Sequence, residues 1–322
     1  METTKKINSK KIVSWAGTLL MLVSLGFIAR RFIAYGIDFS WLASPWVVTG
    51  LLAVAAGEGI AMMGASLNFR ALVRNVSGVT VARPLAVSVY LLSNLYKYIP
   101  GGVMYVAGRH KMVVDTKTLT HSKLVFSTVL EGAMIAIAAI LVALLLSFNY
   151  TTTYILNLYT YDIMPFIFLA VGVILLAGVL PLYIFWGKIS TAVRKFMETV
   201  EILKLSVLVK RFGVALLLMF LWGSTFMLTL RLLGQPMTSG LAVTIVGLYL
   251  LAWLAGFLTP GAPSGFGIRE AVMMMFLSGL VYDDILLAAL IMHRVVVMIG
   301  DVLAYCLGLA YVKFSEKGVQ AA

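Results

Sequence analysis

Residues 247–270 read GLYLLAWLAGFLTPGAPSGFGIRE. A continuous apolar run stops at Pro260-Gly261, and a second resumes near residue 266 with Arg269 and Glu270 inside it. Proline lacks a backbone donor and glycine widens the accessible φ, so together they unwind a helix. Backbone groups freed in this way are costly in hydrocarbon and persist only where protein, water or a ligand satisfies them. The stretch predicts an interrupted helix in a membrane protein, with an enclosed polar region at the interruption.

The same arrangement stands 160 residues earlier. Lys97-Tyr98-Ile99-Pro100-Gly101-Gly102 is followed by Gly108-Arg109, and both Arg109 and Arg269 lie nine positions after a proline. The offset also carries the apolar segment 84–99 onto 244–259 and 124–147 onto 284–307, while 46–67 falls less closely on 206–227. The order of elements repeats although few residues do.

Composition agrees with a membrane setting. Of 322 residues, 61% are apolar and 12% charged, with a mean hydropathy of +1.01. Soluble domains carry about 25% charged residues. Apolar segments fall near 12–29, 46–67, 84–99, 124–147, 164–186, 213–232, 240–258 and 285–311, with shorter runs at 102–108 and 266–281. The runs are continuous rather than alternating, and open sheet edges are not tolerated in lipid. The expected fold is all-α: a polytopic helical membrane protein of about eight hydrophobic segments, with two Pro-Gly-broken re-entrant hairpins, in one membrane domain over 1–322. The loops leave no room for an appended catalytic domain.

The net charge of +12 comes from 25 Lys and Arg against 13 Asp and Glu. Basicity of this kind marks nucleic-acid binding in soluble proteins, but in a membrane protein it marks cytoplasmic loops, so no nucleic-acid partner is expected. With a cytoplasmic N-terminus and 84–108 returning to its own side, the loops 1–11, 68–83, 109–123, 187–212 and 312–322 hold 19 of the 25 basic residues. The opposite loop 148–163 and the corner at Asp283-Asp284 hold none, and Arg30-Arg31 is the exception. Both termini are then cytoplasmic, in the cytoplasmic membrane. The basic flank before 12–29 resembles a signal peptide but lacks a small-x-small cleavage site, so the segment reads as a retained helix. Residues 188–211 read either as an interfacial basic helix or as an ordinary cytoplasmic loop. The lone Cys306, in an apolar run, reads as a packing residue.

In this topology the halves 46–147 and 206–307 run in opposite senses, with 164–186 as connector helix and 12–29 as an extra one. Paired interrupted segments in inverted halves point to a substrate site near the midplane of a transporter. A helix restarting after Gly265 or Gly267 presents free amides and its positive dipole end, which suits an anion. Arg269 in its first turn supplies a bidentate donor for phosphate, and Glu270 suits the dipole.

Eight ionisable residues lie within apolar segments or at the breaks: Glu58, Lys97, Arg109, Glu131, Arg269, Glu270, Arg294 and Asp301. Each costs about 2.5–3.5 kcal/mol on insertion scales, so they imply an interior polar cavity. Arg109 and Arg269 are the leading substrate ligands, with Lys97 and Arg294 beside them. Glu58, Glu131 and Asp301 balance charge, and whether the two glutamates do more than pair with cations is left open. Arg294 and Asp301 are seven apart and share a helix face. Pro100, Gly101, Gly102, Ser264, Gly265 and Gly267 complete the site as the backbone of the two breaks. Tyr96, Tyr98 and Tyr105 crowd the first break; Trp253 and Phe257 precede the second. No metal-ligand spacing occurs among His110, His121, His293 and Cys306, no base stands near Ser264 to make it a nucleophile, and no cofactor is expected.

Pro263-Ser264-Gly265-Phe266-Gly267-Ile268-Arg269-Glu270-Ala271 resembles the Pro-Gly-Gly-x-Gly-[Val/Ile]-Arg-Glu segment of the lysylphosphatidylglycerol synthase transmembrane-region family, flippase-like membrane proteins. Tyr98-Ile99-Pro100-Gly101-Gly102 with Gly108-Arg109 is similar to that family's earlier Pro-Gly element, and Arg294 to its recurring arginine. Ser264 stands where the family usually has glycine. The resemblance covers residues 10–312. Longer members join this region to a cytoplasmic transferase that moves an amino acid from tRNA to phosphatidylglycerol, and the membrane part translocates the product. Related regions accompany polyprenyl-phosphate glycosyltransferases.

What the resemblance implies here is the lipid-moving half without the synthetic half, since eleven residues follow the last apolar segment. The expected function is translocation of an anionic or phosphate-bearing lipid, such as a modified phosphatidylglycerol, without enzymatic activity. The alternative is a membrane subunit that presents phospholipid or polyprenyl phosphate to a separate lipid-modifying transferase.

Overall fold

The computed structural model describes residues 44–98, 108–116, 118–158, 203–259 and 263–320. Among them the chain is all-helical. The helices are α1 (Pro45–Ser77), α2 (Arg83–Leu95), α3 (Lys111–Thr116), α4 (His121–Leu158), α5 (Leu205–Leu232), α6 (Ser239–Leu258), α7 (Ile268–Leu277) and α8 (Asp283–Gln320), with 3₁₀ turns at Tyr96–Tyr98 and Pro263–Gly265.

Five of them, within Pro45–Ser77, His121–Thr153, Leu205–Leu232, Ser239–Leu258 and Asp283–Ser315, are long and apolar enough to cross a membrane. The chain is thus a multi-pass membrane protein. In the run 84–99, one arm of an expected re-entrant hairpin, the described residues form a 13-residue helix closed by a 3₁₀ turn. At 1.5 Å per residue α2 rises about 20 Å, short of the roughly 30 Å hydrocarbon core. The segments 12–29 and 164–186 lie outside the described residues, as do Pro100, Gly101, Gly102, Pro260 and Gly261.

The helix ends follow local chemistry. Pro45 opens α1, where its missing N–H costs nothing, and Gly78 closes it at φ 74° with its amide on Arg74 O at 2.9 Å. Thr238 caps α6 by accepting from the Leu241 amide at 3.2 Å. Such caps matter more than usual in an apolar setting, where water cannot satisfy the free ends.

Residues up to Ser147 together with those from Arg211 onward form one unit; residues 148–210 form a second. In the first unit α8 packs along both α1 and α2, and α7 packs on α6. The crossing of α1 and α8 is closed by glycine. A Cβ on Gly300 would stand 2.7 Å from the Ala55 carbonyl and 2.8 Å from Glu58 Cβ. Small residues at such crossings let helix backbones approach where lipid supplies no hydrophobic drive to associate. The outward faces stay apolar, as Ile60 at 66% exposure and Leu145 at 80% show.

Basic residues gather toward the C-terminal end of α1. Lys123 Nζ donates to Ser77 O at 3.2 Å, Arg70 Nε to Val81 O at 2.7 Å, and Arg211 Nη1 to Asn68 Oδ1 at 3.2 Å. Arg70, Lys123 and Arg211, from three stretches rich in lysine and arginine, therefore share one end of this unit.

Candidate functional site

The 3₁₀ turn Tyr96–Tyr98 packs directly against the 3₁₀ turn Pro263–Gly265. The described flanks of the two breaks, 160 residues apart in sequence, thus meet in space. They are not equivalent in build. The first turn follows a 13-residue helix, whereas the second follows α6, whose 20 residues span about 30 Å unaided.

Sequence alone explains the second turn. Ser264 lies at φ 51°, ψ 25°, and Gly265 and Gly267 at φ 66° and 83°. Three left-handed residues within four positions turn the chain back, and such φ values favour glycine at each. Ser264 takes this left-handed conformation without being a glycine. Gly265 meets α6 backbone to backbone, because a Cβ there would come 2.7 Å from Gly256 Cα.

α7 then restarts with Gly267 as its N-cap, and Glu270 Oε2 accepts from the Gly267 amide at 2.8 Å. The other oxygen of Glu270 takes an ion pair from Arg294 Nε on α8. Arg294 Nη1 donates to the Ser264 carbonyl at 3.0 Å and approaches its hydroxyl at 3.4 Å. Its Nη2 is buried without a hydrogen-bond partner.

Two further ion pairs lie in the interior, Arg109 with Glu131 buried on both sides and Lys97 with Asp301 half-buried at the lysine. Lys97 Nζ sits 2.7 Å from Asp301 Oδ2, which also accepts from the Tyr98 hydroxyl, while Oδ1 accepts from Asn94 Nδ2 at 2.7 Å. Arg109 Nη1 donates to Glu131 Oε2 at 2.7 Å, and the Tyr90 hydroxyl to Oε1 at 2.9 Å. The Arg109 guanidinium also lies 4.1 Å from the centre of the Phe69 ring and 4.4 Å from that of Tyr90. Its partners come from α1, α2 and α4. Arg294 and Asp301, which share a helix face, do not pair with each other: each takes its partner from a different break, and together they bring both breaks to α8.

That leaves Arg269 and Glu58. Arg269 is 8% exposed, and among the described residues its charge meets no carboxylate within ion-pair distance. It lies over the Tyr249 ring, 4.5 Å from the centroid, a contact that orients a cation but does not neutralise it. Tyr249 is itself held by His293 at 2.9 Å, and His293 by Thr229 at 3.4 Å. Glu58, 5% exposed on α1 at the Gly300 crossing, makes no hydrogen bond, and its Oε2 is fully buried. Lys97, Asp301 and Arg269 are the charges whose fields reach it.

The sequence marks the charged members of this cluster by their rarity in apolar runs. It carries no comparable mark for Tyr90, Asn94 and Tyr249, whose roles follow from which helix faces meet. Among the described residues no group of three or more His, Cys, Asp and Glu is placed to hold a metal.

A hydrogen-bonded anion fits this arrangement: one buried arginine without a counter-ion, a free Nη2 on a second arginine, and a helix restarting beside them. No family model matches the chain, and no curated protein matches it.

Proposed function

We propose that the chain is a lipid translocator that takes the phosphate of an anionic headgroup between the two breaks, at Arg269. One observation carries this reading: of the three buried arginines among the described residues, Arg109 and Arg294 each meet a carboxylate, whereas Arg269 meets none. An uncompensated guanidinium away from water is costly, and a phosphate oxygen repays that cost with charge-assisted hydrogen bonds.

Arg294 Nη2 is the second donor, because Glu270 and Ser264 fix the rest of that guanidinium and leave this nitrogen open. Ser264, Gly265 and Gly267 shape the backbone around it. Arg109 is better read as a structural clamp, given its commitment to Glu131. Lys97 serves as a nearby positive charge held in place by Asp301. The acyl chains stay along the apolar outer faces. Both breaks meet at α8, so movement of the inverted halves 46–147 and 206–307 about this helix would expose the site to each side in turn. The basic end of the unit is the cytoplasmic end by the positive-inside rule.

The test is translocation of labelled phosphatidylglycerol and of labelled phosphatidylcholine in vesicles holding only this chain. The expected result is movement of the anionic lipid, lost in Arg269→Ala and kept in Arg211→Ala. Movement of both lipids alike, or of neither by folded wild type, overturns the reading; the latter favours a subunit that presents lipid to a separate transferase.

A further inference from the structure

The ring beneath Arg269 is the end of a buried chain of hydrogen bonds. Tyr249 Oη lies 2.9 Å from His293 Nε2, and His293 Nδ1 lies 3.4 Å from Thr229 Oγ1. Thr229 Oγ1 in turn donates to the Thr225 carbonyl at 2.8 Å. All four residues are buried. Thr225 and Thr229 belong to α5, Tyr249 to α6 and His293 to α8.

The last of these bonds sets the direction of the others. A hydroxyl has one hydrogen, and that of Thr229 goes to Thr225. The hydrogen between Thr229 and His293 therefore sits on Nδ1. Nε2 is left with its lone pair, and the Tyr249 hydroxyl donates to it. Every bond points the same way, from Tyr249 toward the backbone of α5. Hydrogen bonds in such a chain polarise one another, and a phenol whose hydrogen is drawn away gains electron density on its ring. The Arg269 guanidinium lies over that ring, 4.5 Å from its centroid, where the electron-rich face attracts a cation.

We propose that His293 is a positioning residue of the anion site: by holding the Tyr249 hydroxyl it fixes the ring that orients Arg269. This rests on the reading of Arg269 as the phosphate ligand.

The choice of a ring has a chemical reason. A carboxylate beside Arg269 would orient it as well but would compete with phosphate for its charge. A ring orients the guanidinium and leaves its charge to the ligand. The ring must then be held from elsewhere, and the hydroxyl is its one polar handle. Packing assists: Phe226 stacks on Tyr249 and meets His293 edge-on, each at 5.3 Å between ring centroids. Tyr249 and His293 stand edge to face at 5.2 Å. The arrangement also pairs α8 with α7 residue by residue. His293 serves Arg269 through Tyr249, and the next residue, Arg294, pairs with Glu270, the residue after Arg269.

The test is binding of short-chain phosphatidylglycerol to the full chain in detergent, read by titration calorimetry with the unfolding midpoint measured in parallel. Tyr249→Phe keeps the ring and removes its handle, and is expected to raise Kd about fivefold. His293→Phe is expected to do the same, and the double variant to bind no more weakly than either single one. His293→Gln offers an amide oxygen to the Tyr249 hydroxyl and is expected to recover most of the affinity. A residue that merely fills space would give neither the rescue by glutamine nor the shared loss. Wild-type affinity in folded Tyr249→Phe, or independent losses in the double variant, overturns the inference and leaves the anion site standing. No binding by wild type, or undiminished binding by Arg269→Gln, removes the anion site itself and the inference with it. Tyr249→Phe deletes a single oxygen and decides the matter even where the His293 variants do not fold.

Discussion

Arg294 of α8 pairs with Glu270 of α7, and the same carboxylate holds the amide of Gly267. The residue that closes the restarted helix is therefore the residue that ties it to the last helix. Removing the glutamate leaves a buried guanidinium and a free helix start at once. Glu270→Ala is expected to cost about 3 kcal/mol, the usual penalty for breaking a buried pair from one side. Thermal unfolding in detergent measures it, and an unchanged midpoint would show that the pair contributes nothing.

The clamp at Arg109 makes a different prediction, because its loss harms through the partner left behind. Arg109→Ala removes the ion-pair partner of buried Glu131 and leaves it the Tyr90 hydroxyl. A double variant, Arg109→Ala with Glu131→Ala, is expected to be more stable than Arg109→Ala alone. The coupling in the cycle should be on the order of 1–3 kcal/mol. Simple additivity would show that the two side chains do not interact.

The second turn tests backbone strain. Ser264 occupies the left-handed region at φ 51°, which costs a non-glycine residue about 1 kcal/mol. Ser264→Gly is expected to hold or raise the unfolding midpoint. Gly265→Ala should lower it, because φ is 66° there and a Cβ would press on Gly256. Equal effects of the two changes would mean that the turn does not have this shape.

Relative motion of the helices can be arrested at α2 and α8. A Cβ at position 308 would lie 3.7 Å from Val87 Cγ1. Val87→Cys with Gly308→Cys, in a Cys306→Ser background, is expected to halt lipid movement when oxidised and to recover it on reduction. Undiminished transport by the oxidised form would contradict rocking of the halves.

How far the sequence carries is clear from these same residues. Continuous apolar runs mark five helices correctly, because periodicity and length suffice for spans in lipid. At 84–99 the run is shorter than a span, and Asn94 and Lys97 reach Asp301 of α8 near its end. The breaks are legible as Pro-Gly pairs and the charges as anomalies in apolar sequence. Which charge pairs with which is not legible. Arg294 and Asp301 share a face yet reach different partners, because pairing depends on how α8 sits between α1, α2 and α7. The singular position of Arg269 emerges only when the other cations have been assigned.

The most direct measurement is retention of phosphatidylglycerol over phosphatidylcholine by the purified chain, read by native mass spectrometry for wild type, Arg269→Gln and Arg211→Gln. The expected result is selective retention by wild type and Arg211→Gln, lost in Arg269→Gln. Equal retention by all three proteins would contradict an anion site at Arg269.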